Sequence, residues 1–162
     1  MIIPLTRGMS CVIDDEDWPL VQPYAWEAME RRGGLLWHAV HFRTVNGKRT
    51  AISMHRLILG LTDRAIEGDH RDGDGLNNRR INLRECTRAQ NSRNRRKSAN
   101  CSTPYKGVRL LRGKYQARIT ADGVQIYLGT FDTAELARDA YTAGALKWHG
   151  DFACVGERAT SR

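Results

Sequence analysis

Cysteine, proline and long apolar stretches are all scarce in this chain of 162 residues. The four cysteines (Cys11, Cys86, Cys101 and Cys154) form no CxxC pair, so a zinc ribbon is not expected. No run is long and apolar enough to span a bilayer, and Met1-Ile2-Ile3-Pro4-Leu5 is too short and uncharged for an export signal. The expectation is a cytoplasmic protein with reduced, inert thiols, no membrane association and no implied protein partner. Acids are also in short supply, 18 against 26 Lys and Arg, for a net charge of +8. The imbalance is uneven. Residues 1–55 hold six of each sign, residues 56–100 eleven bases against six acids, and residues 101–162 nine against six. Such a charge distribution favours a nucleic-acid partner. The length suits one domain or two small ones.

The positive charge begins where the chemistry does. Asp69-His70 closes a short strand, and a polar, Gly-rich loop follows over Arg71–Asn78. Arg80-Ile81-Asn82-Leu83-Arg84 reads as a second short strand. Thr87 and Gln90, three apart, form a capping box that opens a helix. Strand, loop, strand and helix can gather a histidine, a carboxylate and an amide around one small space ringed by arginines. Histidine titrates near neutrality and can take a proton from water. An Asp and Asn oxygen pair with no cysteine nearby favours Mg²⁺ or Mn²⁺ over Zn²⁺. A mid-strand Asn82 can bridge backbone groups across the loop and hold the histidine's orientation. Metal-assisted phosphodiester cleavage asks for this set. The plainer reading is turn chemistry, in which Asp, Asn and Gly cluster anyway. A calcium loop counted from Asp72 fails, because Leu76 and Leu83 stand where oxygen ligands are required.

The run from Asp69 to Asn94 resembles the HNH motif of phage and intron-encoded homing endonucleases, and Met54–Gly60 matches a segment that often precedes it. In that family the motif builds a ββα-metal fold. His70 matches the first H, Asn82 the central N, and Asn91 stands at the last position. The resemblance implies that His70 is the general base, supported by Asn82. Asp69 and Asn91 would hold one Mg²⁺ or Mn²⁺, and cleavage would leave 5′-phosphate and 3′-hydroxyl ends. Arg88, Arg93, Arg95, Arg96 and Lys97 crowd the helix and its exit without balancing acids, the pattern of a phosphate grip.

The N-terminal third reads as structural. Leu35–Arg43 and Arg49–Met54 form a hairpin turning at Asn46-Gly47. Trp18, Tyr24, Trp26 and Trp37 are expected in the core. His38 and His41 fall on opposite strand faces and do not suggest a metal pair. His55 suits a phosphate contact, the cleft or a structural position equally well.

Beyond Ser98–Pro104, which has linker composition, a second unit begins. Strands are expected over Tyr105–Leu111, Lys114–Thr120 and Val124–Gly129, with turns at Arg112-Gly113 and Asp122-Gly123. A helix capped by Asp132 and Glu135 and closed by Gly150 comes next. Leu136, Ala137, Ala140, Tyr141, Gly144 and Trp148 are expected to face the sheet. Alternation puts Val108, Leu110, Tyr115, Ala117, Ile119, Val124, Ile126 and Leu128 on the helix side. The other face carries Arg109, Lys114, Gln116, Arg118, Thr120, Gln125 and Tyr127, with no acid, and such a sheet can reach base edges in a DNA major groove. Tyr105–Arg109, Gly113–Tyr115, Tyr127–Thr133 and Ala140-Tyr141 resemble an AP2 domain. That resemblance implies base reading from the sheet; Tyr127, Gln125 and Arg118 differ from residues common in plant members, so no recognition sequence carries over.

The combined expectation is an α+β chain: an HNH endonuclease domain over 1–97 with a β-rich N-terminal extension, a linker over 98–104, and an AP2-like domain over 105–155. It would be a metal-dependent, site-preferring, homing-type nuclease acting on double-stranded DNA. The alternatives are a non-enzymatic AP2-type DNA-binding regulator with an inactive HNH unit, and an RNA-binding accessory protein supported by net charge alone.

Overall fold

The computed structural model describes residues 1–31, 36–94 and 103–154. Among them α and β structure mix, in four small antiparallel sheets with short helices and one long one. The chain divides into two compact units, Met1–Asn91 and Ser92–Arg162. Arg95, Arg96 and Lys97, and most of the expected linker, lie outside the described residues.

In the first unit, β1 (Ile2–Pro4) pairs with β2 (Ser10–Val12), and α1 (Trp18–Val21) follows. A three-stranded sheet comes next, with β4 (Leu36–Val45) between β3 (Glu27–Arg31) and β5 (Lys48–Ser53). The β4–β5 turn is Asn46-Gly47, with φ of 50° and 72°, the positive pair a tight hairpin turn requires. β5 runs straight into α2 (Met54–Ile58). Ile3, Cys11, Ile13, Val21, Trp26, Ala39, Met54, Ile58 and Leu83 make the core. Trp26 belongs to it and donates Nε1–H to the Val21 carbonyl at 3.0 Å. Trp18 does not; it is exposed at the start of α1.

A two-stranded ribbon carries the motif. β6 (Glu67–His70) pairs with β7 (Leu83–Cys86) in the register Glu67↔Cys86, Asp69↔Arg84 and His70↔Leu83. α3 (Arg88–Arg93) follows. Its start is the expected capping box: the Thr87 amide donates to Gln90 Oε1 at 2.8 Å, and the Gln90 amide to Thr87 Oγ1 at 3.2 Å. The expected strand from Arg80 is shorter than its pattern. Arg80–Asn82 is a 3₁₀ turn and extension begins at Leu83. The cause is anchoring from the N-terminal segment: the Arg80 amide donates to Asp14 Oδ2 at 2.7 Å, and its guanidinium reaches the buried Asp17 carboxylate at 2.6 Å. Asn82 therefore closes a turn and does not sit mid-strand.

In the second unit β9 (Lys114–Ala121) lies between β8 (Val108–Leu111) and β10 (Val124–Phe131), and α4 (Ala134–His149) packs on the sheet. Val108, Ala117 and Ile119 meet Ala137, Tyr141 and Ala145. Gly107 is required there. Its φ is +72°, and a Cβ would fall 2.1 Å from the Tyr141 ring. Two expectations are corrected. Thr133, not Asp132, caps α4 by accepting from the Leu136 amide at 3.3 Å, while Asp132 pairs with Lys114. Leu136 and Trp148 flank the buried stripe of Ala137, Tyr141, Gly144 and Ala145 and stay exposed, as do Leu110 and Val124 beside the hairpin tips.

Candidate active site

The pleat of β6 sends neighbouring residues to opposite faces. Gly68 and His70 face α2 and β4: a Cβ on Gly68 would stand 2.6 Å from His55 Cδ2, and the His70 ring lies 4.9 Å from that of His55 and 5.6 Å from that of His38. Glu67 and Asp69 take the other face. Asp69 is 7% and Arg84 8% exposed, and Arg84 donates to Asp69 Oδ2 through Nε at 2.8 Å and a terminal nitrogen at 2.6 Å. Their side chains meet because the register sets them directly opposite. Glu67 Oε2 accepts from Asn91 Nδ2 at 2.6 Å, which ties α3 to the face of Asp69. Glu67 and Asp69 thus share the face opposite His70, with Asn91 joined to Glu67 from α3.

His70 is held by a residue that sequence reasoning left to turn chemistry. Its Nε2 lies 3.1 Å from Oδ1 of the fully buried Asn78. An amide oxygen only accepts, so this bond puts the proton on Nε2 and the lone pair on Nδ1. Burial lowers the His70 pKa below 6.5, opposed by the Asn78 bond and the charges of Asp72, Asp69 and Asp74. His55 is lowered further, by burial and then by His70, His38, Arg56 and Arg31. Asn82 acts on the loop: its Oδ1 accepts from the Asp72 amide at 3.0 Å, and its Nδ2 donates to Asp72 Oδ1 and the Asn77 carbonyl. It thus bridges backbone groups across the loop that also carries Asn78.

His38 is the residue the strand pattern hid. It is no partner of His41, whose ring packs on Tyr24 and whose Nδ1 sits 2.9 Å from the Ala25 carbonyl. It joins His55 and His70 in a group of three imidazoles. The available signal was glycine: Gly68 and Gly75 both sit where a Cβ would strike one of these rings. Burial pushes the Cys11 thiol up to about 12 and the Cys86 thiol up to about 11, which keeps these two protonated and unreactive at neutral pH.

The polar face of the second unit is cross-linked along its register. Arg109 donates to Gln116 Oε1 at 2.9 Å and Arg118 to Gln125 Oε1 at 2.7 Å, while Tyr127 and Thr130 share a 2.8 Å hydroxyl contact. Arg109, Gln125 and Tyr127 are exposed; Gln116 and Arg118 are half-buried. Lys114 is paired with Asp132, and Arg93 with Asp122 at 2.5 Å, so neither expected contact residue stands unopposed. Arg88 is exposed on α3.

No protein-family model matches the chain. It is 31% identical over 156 residues to an uncharacterized HNH endonuclease of Acanthamoeba polyphaga mimivirus, an alignment covering 91% of this chain and 74% of that protein. It is 43% identical over 51 residues to APETALA2-like protein 2 of Oryza sativa, and 40% identical over 60 residues to an AP2-like ethylene-responsive transcription factor of Arabidopsis thaliana. These span 30% and 36% of this chain and 12% of each relative. The likeness over most of the chain and the partial ones lead to one conclusion: the chain belongs to the HNH endonuclease family and combines it with an AP2-like segment covering about a third of its length.

Proposed function

We propose that the protein is a metal-dependent, site-preferring DNA endonuclease of the homing type, working in the cytoplasm. The observation that carries this is the order β6, β7, α3 in a chain of this family, with Asp69-His70 ending the first strand and Asn91 on the helix. We read it as the ββα-metal arrangement, within an HNH domain over 1–97 joined by 98–104 to an AP2-like domain over 105–155. His70 takes the proton of the attacking water, aided by a lone pair that Asn78 directs to Nδ1. Water adds to phosphorus, the bond to the 3′ oxygen breaks, and 5′-phosphate and 3′-hydroxyl ends result. Asp69 and Asn91, with Glu67 beside them, would hold Mg²⁺ or Mn²⁺, whose role is Lewis-acid stabilisation of the leaving oxygen. The 3₁₀-closing Asn82 keeps the connecting loop in place. Arg109, Lys114, Gln116, Arg118, Gln125 and Tyr127 read double-stranded DNA, while Arg88, Arg93, Arg95, Arg96 and Lys97 grip its phosphates.

A second reading has one observation in its favour: Arg84 already occupies Oδ2 of Asp69, which suits a DNA-binding regulator with a silent HNH unit. Plasmid cleavage with Mg²⁺ separates the two. The wild type should cut, EDTA should stop it, and His70→Ala should cut at least about 100-fold more slowly with DNA affinity little changed. Near-normal cutting by the variant would remove His70 from the role of base; no cutting by the wild type would favour the regulator.

A further inference from the structure

Three imidazoles meet in the first unit from three separate elements: His38 on β4, His55 on α2 and His70 at the end of β6. Their ring centroids are 4.9, 5.6 and 5.7 Å apart. One ring nitrogen of each lies within 4.8 Å of the other two. His55 is 8% and His70 5% exposed. Such a cluster is unusual as mere packing, because each ring brings a polar edge that an aliphatic side chain would not. His55 Nδ1 is buried without a hydrogen-bond partner among the described residues, where buried nitrogens ordinarily have one. The chain also makes room for the rings. A Cβ on Gly68 would lie 2.6 Å from His55, and one on Gly75 2.9 Å from two atoms of the His38 ring.

We infer that His38, His55 and His70 form a binding site for a borderline-soft divalent cation of the zinc class, distinct from the oxygen donors on the opposite face of the ribbon, and that filling it silences the nuclease. The donor chemistry argues for the separation. Imidazole nitrogens select Zn²⁺, Ni²⁺ or Cu²⁺, whereas Glu67, Asp69 and Asn91 offer the oxygens that Mg²⁺ takes. Three histidines and one water complete a tetrahedral zinc shell. Zinc-to-nitrogen bonds of about 2.1 Å set the nitrogens roughly 3.4 Å apart, so the rings draw inward by about 1 Å on binding. Silencing follows from the ring itself. A neutral imidazole has a single lone pair, and a cation bound to His70 consumes it, whichever nitrogen is used. His70 then has nothing with which to accept a proton from water. This second half rests on the proposed role of His70 as base; the binding does not.

Full-length protein stripped with a chelator should be titrated with Zn²⁺ alone at neutral pH and the loaded form studied by X-ray absorption at the zinc edge. The expected result is one tight site with a shell of three imidazoles, and tetrahedral visible bands when Co²⁺ is substituted. His38→Gln and His55→Gln should each weaken binding by roughly 100-fold or more, exceeding what loss of an outer-sphere partner costs. Cleavage is then followed at constant Mg²⁺ with rising Zn²⁺, and inhibition is scored as the ratio of rates within each variant. It should track filling of the site in the wild type and shift to higher Zn²⁺ in His38→Gln. No tight zinc, or a shell of sulfur or carboxylate oxygen, overturns the site, and the wild-type spectrum decides this even where a variant fails to fold. Zinc bound by three imidazoles without inhibition overturns the silencing and counts against His70 as the base. A wild type that never cuts with Mg²⁺ overturns the silencing and the proposed nuclease alike, while the zinc titration still decides the site.

Discussion

Replacing Arg84 by methionine tests the carboxylate side of the ribbon. The pair with Asp69 is almost fully buried, and two guanidinium nitrogens reach the same carboxylate oxygen, at 2.6 and 2.8 Å. Methionine keeps most of the volume and takes the Arg84 charge away from a buried carboxylate. Breaking a buried pair from one side typically costs about 3–5 kcal/mol. A unit the size of Met1–Asn91 has a stability of about 5–14 kcal/mol, so the loss is a large share of the whole. With a midpoint shift of about 4–8 °C per kcal/mol, unfolding should move down by about 12–40 °C. Tryptophan fluorescence reports it well, since Trp18, Trp26 and Trp37 all lie in this unit. The second expectation is specific to the proposed cation. In Arg84→Met the carboxylate at Asp69 is left for Mg²⁺, and a hundredfold excess over the dissociation constant restores about 2.7 kcal/mol. In the wild type the cation must first displace Arg84, so the same Mg²⁺ should stabilise it less. The double variant Asp69→Asn/Arg84→Met should lose the response. A stability within about 1 kcal/mol of the wild type would refute the cost assigned to the pair. Equal stabilisation of wild type and Arg84→Met by Mg²⁺ would refute competition for Asp69.

Other expectations follow from the same geometry. The His70 pKa is lowered, so the base form survives to below pH 6.5, and the acid limb of kcat/KM should fall below that value; a limb at or above it would contradict the burial argument. His55 and His70 fold neutral, so their contribution to stability is complete above pH 6.5 and is lost as pH falls through the lower folded values, and calorimetry across that range should show a flatter profile in His55→Gln. Gly107→Ala forces a Cβ into the Tyr141 ring and holds a left-handed φ, which should cost the second unit about 2–5 kcal/mol and expose it to protease while the first unit stays protected. Arg118→Ala should narrow the gap between cognate and random DNA by about 1–3 kcal/mol, whereas Arg88→Ala should weaken both alike and flatten the salt dependence; the reverse pattern in binding titrations would exchange their roles.

What could be read from the sequence was whatever local chemistry dictates. Thr87 and Gln90 announced a helix start and deliver one, and the Asn46-Gly47, Arg112-Gly113 and Asp122-Gly123 pairs announced turns that carry positive φ. Alternation separated Val108, Ala117 and Ile119 from Arg109, Gln116 and Arg118. The failures came where distant groups override local preference. Arg80–Asn82 has a strand's pattern, but Asp14 and Asp17, more than sixty residues earlier, curl it into a turn. Asp132 has the right spacing for a cap, but Lys114 claims it. The histidine group was invisible because its members come from three elements whose meeting only tertiary structure decides. Asn78 was hidden for a related reason: it looks like any turn asparagine until its amide is seen against His70.

The loop between β6 and β7 is closed upon itself. Asp72 Oδ1 receives the Asp74 amide and Asn82 Nδ2, Asp72 Oδ2 receives Asn77 Nδ2, and Asp74 Oδ1 receives the Leu76 amide. These two carboxylates are occupied as staples for their own turn. In evolutionary terms the segment is the part of the chain least open to lengthening: an inserted residue shifts Asn77 and Asn82 out of step with Asp72 and carries Asn78 away from His70. The hairpin tips at Gly47, Gly113 and Gly123, where a side chain would meet nothing within 4 Å, impose no such limit. Lineages of this protein should therefore vary in length at those tips and hold the spacing between Asp72 and Asn82 constant, and a peptide tag or fluorophore belongs at the former.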